Sequence, residues 1–187
     1  MLEAALTLVS ERGSLTMTLA DVGERAGYSR SLPAHYFRNK DGLVAALAEY
    51  MIDRFTRVVL QGPKPRQGLT AVLTRIDVYM SAAATDPMQF RALQVLMTEA
   101  ITGNASEAAR NSLEAVNNAV IEYFERQIAA GIKQGEIRPD VGVRESAVMM
   151  VGILRGVLAM WFLAPNFDLV QVRASILDHV RLICAAR

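Results

Sequence analysis

Between Arg25 and Lys40 the chain places Arg25, Arg30, Arg38 and Lys40 with no acidic residue among them, a local charge of +4 bounded by Glu24 and Asp41. Guanidinium and ammonium groups gathered in this way suit anion binding, since each donates charge-assisted hydrogen bonds to phosphate or carboxylate oxygens. The charge does not extend further. Residues 1–60 balance seven Lys and Arg against seven Asp and Glu, and the whole 187-residue chain has a formal charge of only +1. A general polycation that coats nucleic acid is therefore excluded, and a phosphate backbone would have to be met by this one patch. Catalytic chemistry has no comparable constellation. The sequence contains no nucleophile elbow, P-loop, dinucleotide-binding glycine signature or HExxH, so an enzyme is not expected. Its single cysteine, Cys184, rules out an internal disulfide and a cysteine-based zinc cluster. His35 and His179 are far apart and lack ligand spacing, so neither a metal nor a cofactor is implied.

The elements that would position the patch are helical. Hydrophobic residues make up 52% of the chain and charged residues 21%, enough apolar surface for a packed core. Leu2, Leu6 and Val9 repeat at helical spacing, and Gly13 supplies a stop because glycine adopts the left-handed conformation that closes a helix. Thr18-Leu19-Ala20-Asp21 reads as a capping box with Asp in place of Glu or Gln. It opens a helix whose apolar stripe is Leu19, Val22 and Ala26, interrupted by Gly27 after barely two turns. Ser29 is the expected cap of a third helix through Phe37, so two short helices flank a glycine turn, the spacing of a helix-turn-helix. Pro33 falls inside that third helix without a backbone donor, and the helix start is expected to be shifted or 3₁₀-like. Asn39 or Lys40 begins a longer helix carrying Leu43, Leu47, Met51, Phe55 and Val58, broken at Gly62-Pro63-Lys64-Pro65.

Further helices are read from Leu69 to about Asp86-Pro87, across Met88–Ile101, and from beyond Thr102-Gly103-Asn104 to about Gly131. Two more run over Gly142–Leu163 and Asp168–Ala186. No strand alternation is sustained. The expected fold class is all-α, a three-helix helix-turn-helix module over residues 1–47 followed by a larger helical bundle domain over 48–187.

Several fragments occur in one order and spacing: Glu3-Ala4-Ala5, Glu11-Arg12-Gly13, Thr18-Leu19-Ala20-Asp21-Val22, Ala26-Gly27-Tyr28-Ser29-Arg30, His35-Tyr36-Phe37 and Lys40-Asp41-Gly42-Leu43. Together they resemble the DNA-binding domain of tetracycline-repressor-like (TetR family) transcriptional regulators. The resemblance is strong over residues 2–50 and loose over the helical remainder. It implies a dimeric, ligand-responsive regulator, in most relatives a repressor, bound to a palindromic operator in double-stranded DNA. It also implies that the N-terminal part of the helix Ser29–Phe37 enters the major groove, with Arg30 and Ser31 nearest the base edges. An arginine forked onto guanine discriminates by about 1–3 kcal/mol. Thr18, Tyr36 and Lys40 match the family's phosphate-contacting positions, which set register. His35 is open between a phosphate, a base and plain surface. Ala34 departs from the pattern, standing where relatives commonly carry an aromatic phosphate contact. The chain as given starts at the first helix, so minor-groove readout by a basic arm is not expected.

Helix Gly142–Leu163 divides at 100° per residue into two apolar faces. Val148, Gly152, Arg155, Gly156, Ala159 and Leu163 form a small one that admits another backbone; Met150, Ile153, Leu154, Val157, Met160 and Trp161 form a bulky, core-like one. The run Arg155–Phe162, then Pro165 and a last amphipathic helix, resembles the family's final helices, which pair across a two-fold axis. The implied homodimer interface therefore adds Leu169, Val172, Ile176 and Val180 to the small face. Phe90, Met97, Phe124, Met150, Met160 and Trp161 are candidates to line a pocket for a small apolar or aromatic effector. That pocket follows from the resemblance, and ordinary core packing stays open for each residue. The apolar run Ala147–Ala164 is long enough to suggest a membrane span. Arg155 at its middle would cost about 2.5–3.5 kcal/mol in hydrocarbon, so a buried helix and no membrane partner are expected. No signal peptide is visible, and a cytoplasmic location is expected. The rival reading is a helical protein-interaction module that sets its basic patch against an acidic partner.

Overall fold

The computed structural model describes residues 1–60 and 67–186, and the side chains among them except at 52 and 55–60. The expected break at Gly62-Pro63-Lys64-Pro65 and the side chains of Phe55 and Val58 lie outside the described residues. Every regular element among the described residues is helical: α1 (Leu2–Thr16), α2 (Leu19–Arg25), α3 (Leu32–Phe37), α4 (Lys40–Leu60), α5 (Leu69–Thr85), α6 (Pro87–Ile101), α7 (Glu107–Lys133), α8 (Val143–Leu163) and α9 (Leu169–Cys184). A single isolated bridge, Ile137 to Ala185, is the only extended pairing described. The all-α expectation holds.

Helix boundaries follow the local chemistry. Pro87 sits at the first position of α6, where its missing N–H is one that a helix start leaves unused anyway. Asp168 caps α9 by accepting from the Val170 N–H at 2.8 Å. Gly13 does not end α1 but breaks it internally, with φ 80° and ψ 165°, and a short helical stretch resumes to Thr16.

The chain sorts into two compact units, residues Met1–Arg57 with Pro87–Asn117, and Val58–Asp86 with Asn118–Arg187. The first therefore takes in more than a 47-residue module: α1 packs on α6. Leu6, Val9, Leu43, Leu47, Leu96 and Leu113 are buried together in its core. Each such side chain, fully buried, is worth about 1.5–3 kcal/mol against exposure, and this is what fixes the short helices α2 and α3, too short to persist alone. In the second unit α5 packs on α9 and on α8. There Ile76 and Met80 on α5, Phe124 and Ile128 on α7, and Leu154 and Leu158 on α8 are buried.

The most apolar helix, α8, is long enough to span a bilayer, with a mean hydropathy of 1.9. It is nevertheless a one-sided bundle helix: Ala147, Met150, Val151, Leu154 and Leu158 are buried, while Val148, Met149, Ile153, Met160 and Leu163 are exposed. The division into a small and a bulky face is thus corrected. The small face does point out, but Ile153 and Met160, expected in the core, point out with it. Both sides of this helix are apolar, so periodicity alone leaves the position of the buried arc undetermined by some tens of degrees.

Candidate nucleic-acid interface

The reading elements are held by contacts that begin at Thr18. Its hydroxyl accepts from the Asp21 N–H at 3.1 Å, and the Asp21 carboxylate accepts from the Thr18 N–H at 3.0 Å, a reciprocal capping box for α2. That N–H, then the Thr18 hydroxyl and Arg12, hold the Asp21 carboxyl below its usual range. Helix α2 closes on a Schellman motif. Gly27 takes φ 75°, its N–H donates to Glu24 O at 3.1 Å, and the Tyr28 N–H donates to Gly23 O at 2.8 Å. The chain then folds back tightly over Gly23. A Cβ there would stand 2.6 Å from Ser29 O and 3.2 Å from Pro33 Cδ, so only glycine permits this return.

Helix α3 begins at Leu32, with Ser31 at the position before it and no side-chain cap, not at Ser29. The physical reason is Pro33. With no N–H, it is tolerated only in a first turn, and here it is the second helical residue. Ser29 is corrected as a helix cap. Its carbonyl instead accepts the Leu32 N–H at 3.2 Å, and Ser29, Arg30 and Ser31 stand exposed in the turn that enters the helix. Only six residues remain helical, and Ala34, His35 and Tyr36 on them are exposed; the rings of His35 and Tyr36 meet edge to face at 5.7 Å. Arg38 closes α3 at φ 64°, a conformation uncommon outside glycine. Asn39 then caps α4 by accepting the Gly42 N–H at 2.8 Å. Gly42 is required in its turn, since a Cβ would lie 2.3 Å from Phe37 O.

The charges are less free than the sequence suggests. Arg25 pairs with Glu11 at 2.8 Å and Arg30 with Glu24 at 2.6 Å, both acids lying outside the acid-free stretch. Lys40 donates to Leu15 O at 2.7 Å. Exposed pairs of this kind are worth about 0–1 kcal/mol, so phosphates can displace the carboxylates at little cost. Thr18, Ser29, Arg30, Ser31, His35 and Tyr36 are all exposed and Lys40 is half-buried, and all seven belong to one compact unit.

One contact was not anticipated. Glu99 on α6 is buried, and its carboxylate accepts from the Ser14 N–H at 2.9 Å and from the Ser14 hydroxyl. It thereby caps the helical stretch that resumes after the Gly13 break, next to the Leu15 carbonyl that holds Lys40. The signal was a lone acid in an apolar helix. A buried carboxylate needs donors, and Glu99 finds them at Ser14, far away along the chain.

The other expected residues fall in different places. Phe90 and Met97 lie in the first unit, where Met97 packs against the core. Phe124 and Met150 are buried in the second, Trp161 is half-buried there with its ring 5.3 Å from that of Phe162, and Met160 is exposed. As placed, Met160 faces solvent and walls no interior. On the expected dimer face, Val148, Gly152, Gly156, Ala159 and Leu163 are exposed and Arg155 is half-buried. Helix α9 needs correction. Leu169 and Val180 are buried in their own unit, Val172 and Ile176 are half-buried, and the outward apolar residues are Val170, Leu182 and Ile183. The amphipathic stripe of α9 is spent on α5, which the sequence pattern could not distinguish from a second subunit.

Residues 1–47 match the family model described as bacterial regulatory proteins, tetR family. The chain is 32% identical over 87 residues to the HTH-type transcriptional regulator BetI of Brucella canis. That match takes in 44% of this chain and 42% of BetI, about two fifths of the relative's length. Its fold is similar to that of the regulator FadR of Bacillus subtilis in complex with stearoyl-CoA, with a TM-score of 0.79, 20% identity, and 96% of this chain and 95% of that one covered. A transcriptional regulator from Saccharomonospora viridis in complex with choline gives a TM-score of 0.85 at 16% identity, covering 100% of this chain and 96% of that one. At such identities the likeness to the two structures is one of fold.

Proposed function

We propose that the chain, whose residues 1–47 match the tetR family model, is a cytoplasmic, homodimeric transcriptional regulator of that family, a repressor released from a palindromic operator by a small molecule. The observation that carries this reading is the exposed, glycine-tightened turn from Tyr28 to Ser31, set between the phosphate-suited Thr18 and Lys40. Arg30 and Ser31 read base edges, Arg30 exchanging Glu24 for guanine; Thr18, Tyr36 and Lys40 fix register on phosphates, and His35 lies beside them.

Two copies are needed because half-sites lie about one DNA turn, roughly 34 Å, or a multiple apart. The outward stripe of α8, with Val148, Gly152, Gly156, Ala159 and Leu163, supports a two-fold contact, and the α9 contribution is Val170 and its outward neighbours. The effector acts by population shift, binding better to a conformation whose two reading heads no longer match their half-sites. Relatives of this fold are recorded with ligands as unlike as stearoyl-CoA and choline, so fold does not choose the effector. Phe124 and Met150, buried in the second unit, are the residues retained here from the expected apolar lining.

In-vitro selection of bound duplexes, followed by mobility shifts at two salt concentrations, tests the reading. A palindromic preference that survives competitor DNA is expected. Binding without sequence preference, or a strictly monomeric chain, refutes it; the former would favour the acidic-partner alternative.

A further inference from the structure

The acid-free stretch passes from α3 into α4 at Arg38, in the gap between the family-like fragments His35–Phe37 and Lys40–Leu43. Arg38 takes φ 64° and ψ −51°, and the Asn39 N–H donates across it to Phe37 O at 2.7 Å. A hydrogen bond closed over a single residue of positive φ is a γ-turn of the rare, strained hand. Among the described residues Arg38 is the one non-glycine residue with positive φ. Its neighbours hold the turn in place. The Arg38 N–H is fixed on Ala34 O at 3.0 Å, Asn39 is fixed by capping α4, and Gly42 closes on Phe37 O so tightly that a Cβ would not fit. Glycine adopts positive φ without steric cost, so the backbone gains nothing from carrying a side chain here. Strain kept in this way points to a duty of the side chain.

We infer that Arg38 is a DNA-contacting residue whose guanidinium seats on a backbone phosphate, beside those met by Tyr36 and Lys40. The inference rests on the regulator reading above and adds a contact to it. Arg38 is exposed, as Tyr36 is, and both belong with Lys40 to one compact unit. Of the four cations in the stretch, Arg25 faces Glu11, Arg30 faces Glu24 and Lys40 is held by Leu15 O. Arg38 has no ion pair or side-chain hydrogen bond among the described residues. No carboxylate must be displaced before it meets an anion, and its fork matches two phosphate oxygens. It also stands at the far end of α3 from Arg30 and Ser31. Six helical residues rise about 9 Å, so with Arg30 and Ser31 on base edges Arg38 is carried toward the backbone that walls the groove. A phosphate contact there fixes register and adds affinity on every sequence alike, which separates it from the reading role of Arg30.

The test uses the full chain with a selected duplex and one of unrelated sequence, titrated across salt by fluorescence anisotropy, with urea unfolding alongside. Removing one phosphate contact should lower the slope of log affinity against log salt by about 0.9 per subunit, which is about eight-fold in affinity per subunit at about 0.1 M salt. Arg38→Gln and Arg38→Gly are both expected to show this loss, to the same extent on the two duplexes. Arg38→Lys keeps the charge and is expected to keep the slope. Arg38→Gly also relieves the turn, so its urea midpoint should match or exceed the parent's while its affinity falls. An unchanged slope in the Gln and Gly variants, a loss confined to the selected duplex, or a Lys variant as weak as the Gln variant overturns the inference. So does a urea midpoint of Arg38→Gly below the parent's, which would make the side chain a support of the fold. A parent chain that binds neither duplex refutes the regulator reading and the contact with it. Parent binding from which the variants cannot be told apart refutes the Arg38 contact alone.

Discussion

Replacing Glu99 by alanine tests whether a residue of α6 holds the end of α1 in place. The carboxylate accepts two hydrogen bonds from Ser14, and hydrogen bonds to a charged group are worth about 1.5–3 kcal/mol each. Loss of both would reach about 3–6 kcal/mol, but a pocket of about 190 Å³ lined by Ser14, Lys40 and Glu99 lets water replace the acceptor. A cost of about 2–4 kcal/mol follows for Glu99→Ala, and about 1 kcal/mol for Glu99→Gln, whose carbonyl still accepts from the Ser14 N–H. Hydrogen exchange of amides around Ser14–Met17, with urea unfolding of the full chain, measures both. Because Leu15 O holds Lys40, Glu99→Ala should also lower the slope of log affinity against log salt by about 0.9, the share of one phosphate contact. The same loss is expected from Lys40→Ala, with no further loss in the double variant. Stability within about 0.5 kcal/mol of the parent, or an additive double variant, would refute the coupling.

Gly23→Ala, which forces a Cβ against Ser29 O, should cost about 1–3 kcal/mol and abolish sequence-selective DNA retention, read by mobility shift. Arg30→Ala should relax the preference at one base pair of each half-site by about 1–3 kcal/mol, measured by competition between duplexes. Tyr79 has a folded value of about 12 against 10.0 when free, so its contribution is fully present below about pH 10 and lost as pH rises toward 12. The loss is on the order of 2–3 kcal/mol, and Tyr79→Phe should remove it from the alkaline unfolding curve. Burial raises the Cys184 thiol against the pull of Arg138, so alkylation near about pH 8 should be slow until urea unfolds the last helix.

Much of this was legible where a residue's own chemistry decides the outcome. Thr18 with Asp21, Gly27, Pro87 and Asp168 mark helix ends by hydrogen bonding or backbone freedom, and these need no tertiary information. Pro33 announced a displaced helix start, though the displacement by two residues, from Ser29 to Ser31 before the first helical residue, emerged only in the fold. What stayed hidden depends on which neighbour a face meets. Leu169 and Val180 look alike whether they cover α5 or a second subunit, and Met97 looks alike in a core or a pocket wall. Glu99 finds its donor at Ser14, and Arg30 finds Glu24 through a turn whose tightness Gly23 sets. Such pairings are products of the fold, and spacing along the chain does not encode them.

Among the described residues, nothing beyond their own helix backbone lies within 4 Å of where a methyl would stand on Gly152 or Gly156. In an isolated subunit, alanine at either position should therefore be stabilising, by up to about 1 kcal/mol from the backbone freedom that glycine wastes in a helix. Only a second backbone seated there can reverse that sign. The two glycines thus act as a built-in gauge of self-association: the direction of a melting-temperature change, followed across protein concentration, reports whether the face is covered without any label or cross-linker.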